Sequence, residues 1–323
     1  MFDSKITAFT KYVPEKAVTN EDLSKIVDTS DEWIFSRTGI KERRISTFEN
    51  TSEVCANAAR AAVIKADISP EDIELIITAT MTPDYSSPST ACIVQKLIGA
   101  KNAVSFDLSA ACSGFVFALC TADKFIKTGA FKNALVIGGE VTSKVIDWSD
   151  RGTCVLFGDG AGACFIERGT GGGIIAEDLH SDGDKYNSLT SLYTPVDNLY
   201  HTDKRESFRP LKMNGREIFN FATRKVPESI NAVLQKANLS PDDIKYIVPH
   251  QANSRIVEII ARKMKIPMDR FFMNMDKYGN TSAASIPIAL AELSDKGLLR
   301  EKDKLIITGF GGGLTWGSAI IEL

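Results

Sequence analysis

Cys112 lies in a run of small residues, Ser109-Ala110-Ala111-Cys112-Ser113-Gly114. The run separates a strand-like segment, 103–108, from an apolar one, 115–127, that carries Phe115, Leu119, Ala122 and Ile126 at helical spacing. The thiol is therefore expected at a strand-to-helix turn, with room for another molecule beside the sulfur. Free N–H groups at a helix start favour negative charge by ~0.3–1 kcal/mol. They favour the thiolate, the nucleophilic form of a cysteine whose ordinary pKa is about 8.5. Taken alone, a cysteine there reads more readily as a small buried thiol, the usual fate of a free cysteine.

Three other features carry compatible chemistry. His250, one of three histidines with His180 and His201, closes the apolar segment 246–249 and precedes Gln251-Ala252-Asn253. Functional groups in open α/β sheets collect at such carboxyl ends of strands. Asn280 falls in a second small-residue turn, Gly279-Asn280-Thr281-Ser282-Ala283-Ala284-Ser285. Gly311-Gly312-Gly313 follows the strand-like segment 305–308, and glycines let a backbone aim N–H groups at an oxyanion. A thiolate that accepts an acyl group, surrounded by donors that hold negative charge, is acyl-transfer machinery. A cysteine protease uses the same residue types, so the set leaves the substrate open.

The elements that must position these residues alternate along the chain. Strands are expected over 4–9, 73–80, 103–108 and 134–139, with helices over 52–66, 89–98 and 115–127 between them. Near-continuous apolar strands imply a sheet buried on both faces, and the alternation implies a layered α/β fold. Ser69-Pro70-Glu71-Asp72-Ile73 is echoed by Ser240-Pro241-Asp242-Asp243-Ile244, an offset of 240 − 69 = 171. Leu135-Val136-Ile137-Gly138 falls on Ile306-Ile307-Thr308-Gly309 at the same offset. An internal duplication with halves 1–170 and 171–323 is the expectation. Phe157-Gly158-Asp159-Gly160-Ala161-Gly162 lacks the spacing of a dinucleotide loop and reads as a tight turn into a strand. Residues 182–212 form a long polar connection of the kind that is usually functional or mobile.

Composition narrows the classes. The 323 residues are 44% hydrophobic, and 38 basic against 41 acidic side chains give a formal charge of −3, which argues against nucleic acid or an anionic membrane as partner. Six cysteines without Cys-x-x-Cys spacing read as free thiols in a reducing compartment, with no metal site. No signal pattern and no apolar run of membrane length stand out, so a cytoplasmic location is expected.

Several segments together resemble the β-ketoacyl-acyl carrier protein synthase III family. They are Ala110-Ala111-Cys112-Ser113-Gly114-Phe115, Pro249-His250-Gln251-Ala252-Asn253, Tyr278-Gly279-Asn280-Thr281-Ser282-Ala283-Ala284-Ser285 and Gly309-Phe310-Gly311-Gly312-Gly313. Asp28-Thr29-Ser30-Asp31-Glu32-Trp33 and the glycine-rich 157–162 match too. The resemblance implies the thiolase fold, with duplicated halves in a five-layer α-β-α-β-α sandwich, and a homodimer. It implies that Cys112 takes a short acyl group from acyl-coenzyme A, a substrate rather than a cofactor. Malonyl-acyl carrier protein then loses carbon dioxide and its carbanion attacks the acyl-cysteine.

By the same resemblance His250 and Asn280 hold the enolate oxygen, and the N–H groups of Cys112 and Gly312 form a second oxyanion hole. Trp33 and Arg151 would sandwich the adenine, Arg37 would meet a phosphate, and Asn253 matches a polar residue beside the site. Arg255, Arg262 and Lys263, seven and eight apart, would form the docking patch for the acidic carrier protein. Ser87 stands where many members carry an aromatic residue that crosses the dimer into the acyl pocket, which implies room for primers larger than acetyl. A degradative thiolase would need a second cysteine in 309–313, and an elongating synthase a histidine in place of Asn280. A thiolase-fold acyl-binding module should lack the nucleophile.

Overall fold

Apolar strands with no polar face must be covered on both sides, and this chain does so by stacking two sheets around a shared helical layer. The computed structural model describes residues 2–196, 198–200 and 210–323; His201 and part of the connection 182–212 lie outside the described residues. The first sheet contains β1 (Ser4–Tyr12), β2 (Leu75–Ala79), β3 (Val104–Leu108), β4 (Asn133–Glu140) and β5 (Gly160–Arg168), in the order β1-β5-β4-β2-β3. The second contains β6 (Gly173–Ser181), β7 (Tyr246–Pro249), β8 (Lys304–Gly311) and β9 (Thr315–Glu322), in the order β7-β8-β9-β6. In both, the strands that precede the site turns are parallel to their neighbours: β2 to β3 and β4, and β7 to β8.

Between the sheets lie α4 (Gly114–Thr128) and α7 (Ser285–Asp295). Phe115, Leu119, Leu290 and Leu293 pack there against Leu75 and Val136 on one side and Leu305 and Ile321 on the other. The outer face of the first sheet is covered by α2 (Thr51–Lys65) and α3 (Thr90–Ile98), where Ala58, Ala59 and Ala62 bring α2 close to the strands. The outer face of the second is covered by α5 (Gly215–Ala237) and α6 (Ser254–Met264), through Val226, Ile230, Val257 and Ile260. The result is the five-layer α-β-α-β-α sandwich of the thiolase fold. The strand expected over 73–80 is shorter because Ser69 caps a 3-10 turn, Pro70–Asp72, whose backbone holds Ile73; Pro241–Asp243 forms the same turn.

The offset of 171 extends to the bounds of the elements. Asn133–Glu140 maps onto Lys304–Gly311, and Gly114 at the start of α4 onto Ser285 at the start of α7. The turns before those helices, Ala111–Ser113 and Ser282–Ala284, correspond as well, and each opens on a non-glycine residue with positive φ, 45° at Ala111 and 49° at Ser282. Each turn is pressed against the middle strand of the other sheet. A Cβ on Gly138 would lie 2.3 Å from the Ala283 carbonyl oxygen, and one on Gly309 would lie 2.9 Å from the Ser113 Cα. Only glycine permits that approach, so the two turns face each other across the centre of the molecule.

Candidate active site

The turn before α4 is pinned through the Ala110 carbonyl. It accepts the Ser113 N–H at 3.2 Å, the Ser113 hydroxyl at 2.7 Å and the Thr315 hydroxyl at 3.1 Å. Cys112 is thereby held with 4% of its surface exposed. Burial pushes its thiol up to about 12; interaction with the Ser282 hydroxyl pulls the other way, and the charge of Glu140 adds to the rise. The helix start contributes ~0.3–1 kcal/mol, less than one pK unit, so it does not offset the loss of water. The expectation that the helix start lowers the thiol pKa is thus corrected: burial raises it.

His250 follows β7, its N–H donating to the Thr308 carbonyl at 2.8 Å and its ring edge-on to Phe310 at 5.1 Å. Burial lowers its pKa to about 3, so the imidazole is neutral. Its Nδ1 lies 2.8 Å from the hydroxyl of Ser285, which is also 2.8 Å from the Ser282 carbonyl. Asn280 is fixed through its backbone: its N–H donates to the Leu156 carbonyl at 2.8 Å and its carbonyl accepts the Gly158 N–H at 3.0 Å. Its side-chain oxygen accepts the Ser282 N–H at 2.9 Å, which leaves the amide N–H groups for another acceptor. Gly279, at φ 65° with a notional Cβ 2.8 Å from the Leu156 carbonyl oxygen, cannot carry a side chain here.

Asn280 and His250 are joined through one short segment, 280–285: the Ser282 N–H holds the Asn280 side chain and the Ser285 hydroxyl faces His250. The same segment lies against the Cys112 turn, where a Cβ on Gly114 would sit 3.7 Å from the Ala283 Cβ. Neither serine was singled out from the sequence by itself. Their signal was the offset, since Ser282 is the counterpart of Ala111.

A cleft of about 820 Å³ opens beside the turn, lined by Ala110, Ala111, Gly312, Leu189, Tyr186 and Tyr193, among others. Among the described residues the Gly312 N–H has no backbone carbonyl partner, and Gly312 lies under Leu189. Residues 186–193 of the unassigned connection thus roof the site. Ser87 is exposed and does not line this cleft, whereas the flanking Ser86 and Ser89 do.

Trp33, on α1 (Asp31–Thr38), carries the Arg37 guanidinium 4.5 Å and the Arg151 guanidinium 5.1 Å from its ring centroid. A planar base entering between Trp33 and Arg151 has to displace the latter, which is also held by the Asp28 carbonyl at 2.7 Å. Asn253 caps α6, accepting the Arg255 N–H at 2.9 Å and donating to the Arg37 carbonyl at 3.0 Å. It couples α6 to α1 in addition to any ligand contact.

Arg255 and Arg262 are exposed on α6, but Lys263 donates to the Thr223 carbonyl at 2.9 Å and is partly committed to α5. His180 stacks on Trp316 at 5.1 Å and bonds Asp178 at 2.9 Å, a surface arrangement on the second sheet. All six cysteines are free, and Cys92 is exposed rather than buried. Among the described residues no His/Cys/Asp/Glu group of three or more could hold a metal, and no helix is long and apolar enough to cross a membrane.

The chain is similar to known proteins along nearly its whole length. Two family models match, 3-oxoacyl-[acyl-carrier-protein (ACP)] synthase III over residues 106–183 and its C-terminal part over 234–323. The beta-ketoacyl-[acyl-carrier-protein] synthase III of Clostridium acetobutylicum is 57% identical over 311 residues, 96% of each chain. That of Lactococcus lactis subsp. lactis is 54% identical over 323 residues, 99% of each. The crystal structure of the 3-oxoacyl-[acyl-carrier-protein] synthase III from Aquifex aeolicus superposes with a TM-score of 0.92 at 46% identity, covering 99% of this chain and 100% of that one. The chain belongs to the 3-oxoacyl-[acyl-carrier-protein] synthase III family, the condensing enzymes that initiate fatty acid synthesis.

Proposed function

We propose that Cys112 is the acyl acceptor, that His250 and Asn280 hold the enolate formed when malonyl-acyl carrier protein loses carbon dioxide, and that the Cys112 and Gly312 N–H groups hold the loading oxyanion. The observation that carries this is segment 280–285, which holds Asn280 and His250 through Ser282 and Ser285 and lies against the Cys112 turn. When the Ser285 hydroxyl turns its one hydrogen from the Ser282 carbonyl to Nδ1, the hydrogen of the neutral imidazole sits on Nε2, where it can be donated to a thioester oxygen. Residues 1–170 supply the nucleophile in this scheme and 171–323 the two donors. Incubation with acetyl-coenzyme A followed by mass spectrometry tests it. A single acetyl group on the peptide containing Cys112 supports the assignment, and binding without an adduct points to an acyl-binding module.

The Trp33–Arg37–Arg151 cluster takes the adenine and phosphate end of coenzyme A in this reading, with Asn253 beside it. Base–aromatic stacking is worth roughly 1–3 kcal/mol. Trp33→Ala is expected to raise the KM for acetyl-coenzyme A by roughly 5- to 150-fold, with little change for acyl-pantetheine, which lacks the adenine. An equal loss with both thioesters would remove Trp33 from the role. Arg255 and Arg262, with a lesser share for Lys263, form the docking face for the carrier protein.

A homodimer completes the scheme. The edge strand β3 leaves Val104 51% exposed and the Ser105 hydroxyl buried without a partner, and an open edge of this kind favours pairing with a second copy. Ser87 then lies across the dimer, and its small side chain leaves space for longer or branched primers. Sedimentation should give about twice 35.2 kDa. Ser87→Phe should lower turnover of butyryl and branched primers relative to acetyl by roughly tenfold or more. A monomer, or an unchanged primer ratio, would remove Ser87 from the pocket.

A further inference from the structure

Among the described residues no basic side chain is bonded to the Cys112 thiol. His250 is committed through Nδ1 to Ser285, and its burial disfavours a positive charge. We propose that Glu140 serves as the proton acceptor for Cys112 during acyl loading, acting through the hydroxyl of Ser282; this rests on Cys112 being the nucleophile.

Glu140 closes β4 and is fully buried. Its Oε2 accepts from the Thr80 hydroxyl at 3.1 Å and the Thr82 hydroxyl at 2.5 Å, and its Oε1 from the Ser282 hydroxyl at 3.1 Å. The Met81 N–H reaches both oxygens, at 3.1 and 3.2 Å. Among the described residues no lysine or arginine pairs with it; Lys144 pairs with Asp84 instead, at 3.2 Å. The duplication shows that packing alone does not demand a carboxylate at this place. Its counterpart 171 residues on is Gly311, where an added Cβ would lie 2.7 Å from the Cys112 nitrogen. The strand end beside Ser282 carries an acid where the strand end beside Cys112 carries no side chain.

A hydroxyl has one hydrogen. While Glu140 is ionised, Ser282 donates to Oε1 and keeps a lone pair that can accept from the thiol. As the S–H proton moves to the Ser282 oxygen, the Ser282 proton moves to Oε1. The Cys112 thiolate then attacks the thioester carbon, the bond to the coenzyme A sulfur breaks, and that sulfur recovers the proton through Ser282. Coenzyme A leaves as the thiol and Glu140 is ionised again. Condensation later expels the Cys112 thiolate, which a proton from solvent resets.

Burial raises the Glu140 pKa to about 7 against the pull of its four donors, so it exchanges a proton near neutrality. The titratable groups around it are Cys55 on α2 and Cys112 itself, both of which feel its charge. The Lys144–Asp84 pair lies further out, reached through the Thr51 and Thr82 hydroxyls, and Asp159 precedes Gly160, the register partner of Glu140 on β5. Below about 7 the protonated acid cannot accept, so loading should rise with pH through that value.

The test is the pH profile of single-turnover acetyl loading and of Cys112 alkylation by iodoacetamide, in the wild type, Glu140→Gln, Glu140→Asp and Ser282→Ala. Glu140→Gln keeps an acceptor oxygen but cannot take a proton. It should lose the inflection near neutrality and load roughly a hundredfold more slowly, while malonyl-carrier decarboxylation stays within about twofold. Glu140→Asp should retain the inflection. An unchanged profile in Glu140→Gln overturns the proposal, and so does a decarboxylation rate that falls in step with loading, the mark of a merely structural tie. Should Glu140→Gln not fold, Ser282→Ala decides: loss of the inflection supports the relay and wild-type loading overturns it. A wild type that never forms acyl-Cys112 would instead overturn the nucleophile assignment.

Discussion

Cys112→Ala is expected to form no acyl-enzyme and to condense at least on the order of ten-thousandfold more slowly, while still releasing carbon dioxide from malonyl-acyl carrier protein. The separation follows from where the groups sit. The sulfur belongs to the turn before α4, and the two proposed enolate donors stand just after β7 and in the segment 280–285. Alanine keeps the backbone and the N–H, so the pinned Ala110 carbonyl and the packing of Gly309 on Ser113 persist. Removing one sulfur from a nearly closed site leaves a small void, a loss of about 1 kcal/mol in stability rather than of the fold. Carbon dioxide release is read with labelled malonyl-carrier and loading by mass spectrometry. If both activities vanish while the melting temperature holds, the division of labour between the halves is wrong.

Much of this arrangement was legible before any coordinates. The periodicity of 115–127 and the small residues before it located Cys112, and an apolar strand ending in His250 located the imidazole. The offset of 171 carried more than it was asked to, since it reaches the two left-handed residues, Ala111 and Ser282, and the two glycines that seat the turns. What sequence could not give is the depth of the site. The helix start was a sound argument for a thiolate, but desolvation acts on the whole charge and the helix start on a fraction of it. Burial depends on the second half of the chain closing over the first, which no local window contains. Glu140 escaped for a related reason: an acid at the end of a buried strand has meaning only once Ser282 is beside it. Asn253 and Lys263 illustrate the converse, residues whose family positions suggested ligand contacts and whose side chains are tied to the Arg37 and Thr223 carbonyls.

Replacing His250 or Asn280 with alanine should reverse the pattern seen for Cys112: acetyl loading persists and decarboxylation falls. Each donor aimed at a developing oxyanion is worth ~2.7–4 kcal/mol, a factor of about 100 to 1,000 in rate. The double variant should fall short of the product of the two, because both donors serve one oxygen. Ionisation of the imidazole plays no part in this. With the His250 pKa lowered to about 3 by burial, the decarboxylation rate should show no inflection from this group near neutrality. The shift also fixes the sign of its effect on stability. The unfolded chain binds a proton at the usual value of 6.5 and the folded one does not, so the native state loses stability as pH falls from there toward 3 and gains nothing above it. In His250→Ala that acid-side loss should shrink, which a urea midpoint measured at neutral and acid pH resolves. Ser285→Ala separates donor from base. It leaves the ring in place but removes the group that fixes its tautomer, so decarboxylation should drop by less than in His250→Ala while loading is untouched. An imidazole inflection near pH 6.5 in the wild type, or loss of loading in His250→Ala, would show that His250 works on the Cys112 proton and would reassign it from enolate donor to base.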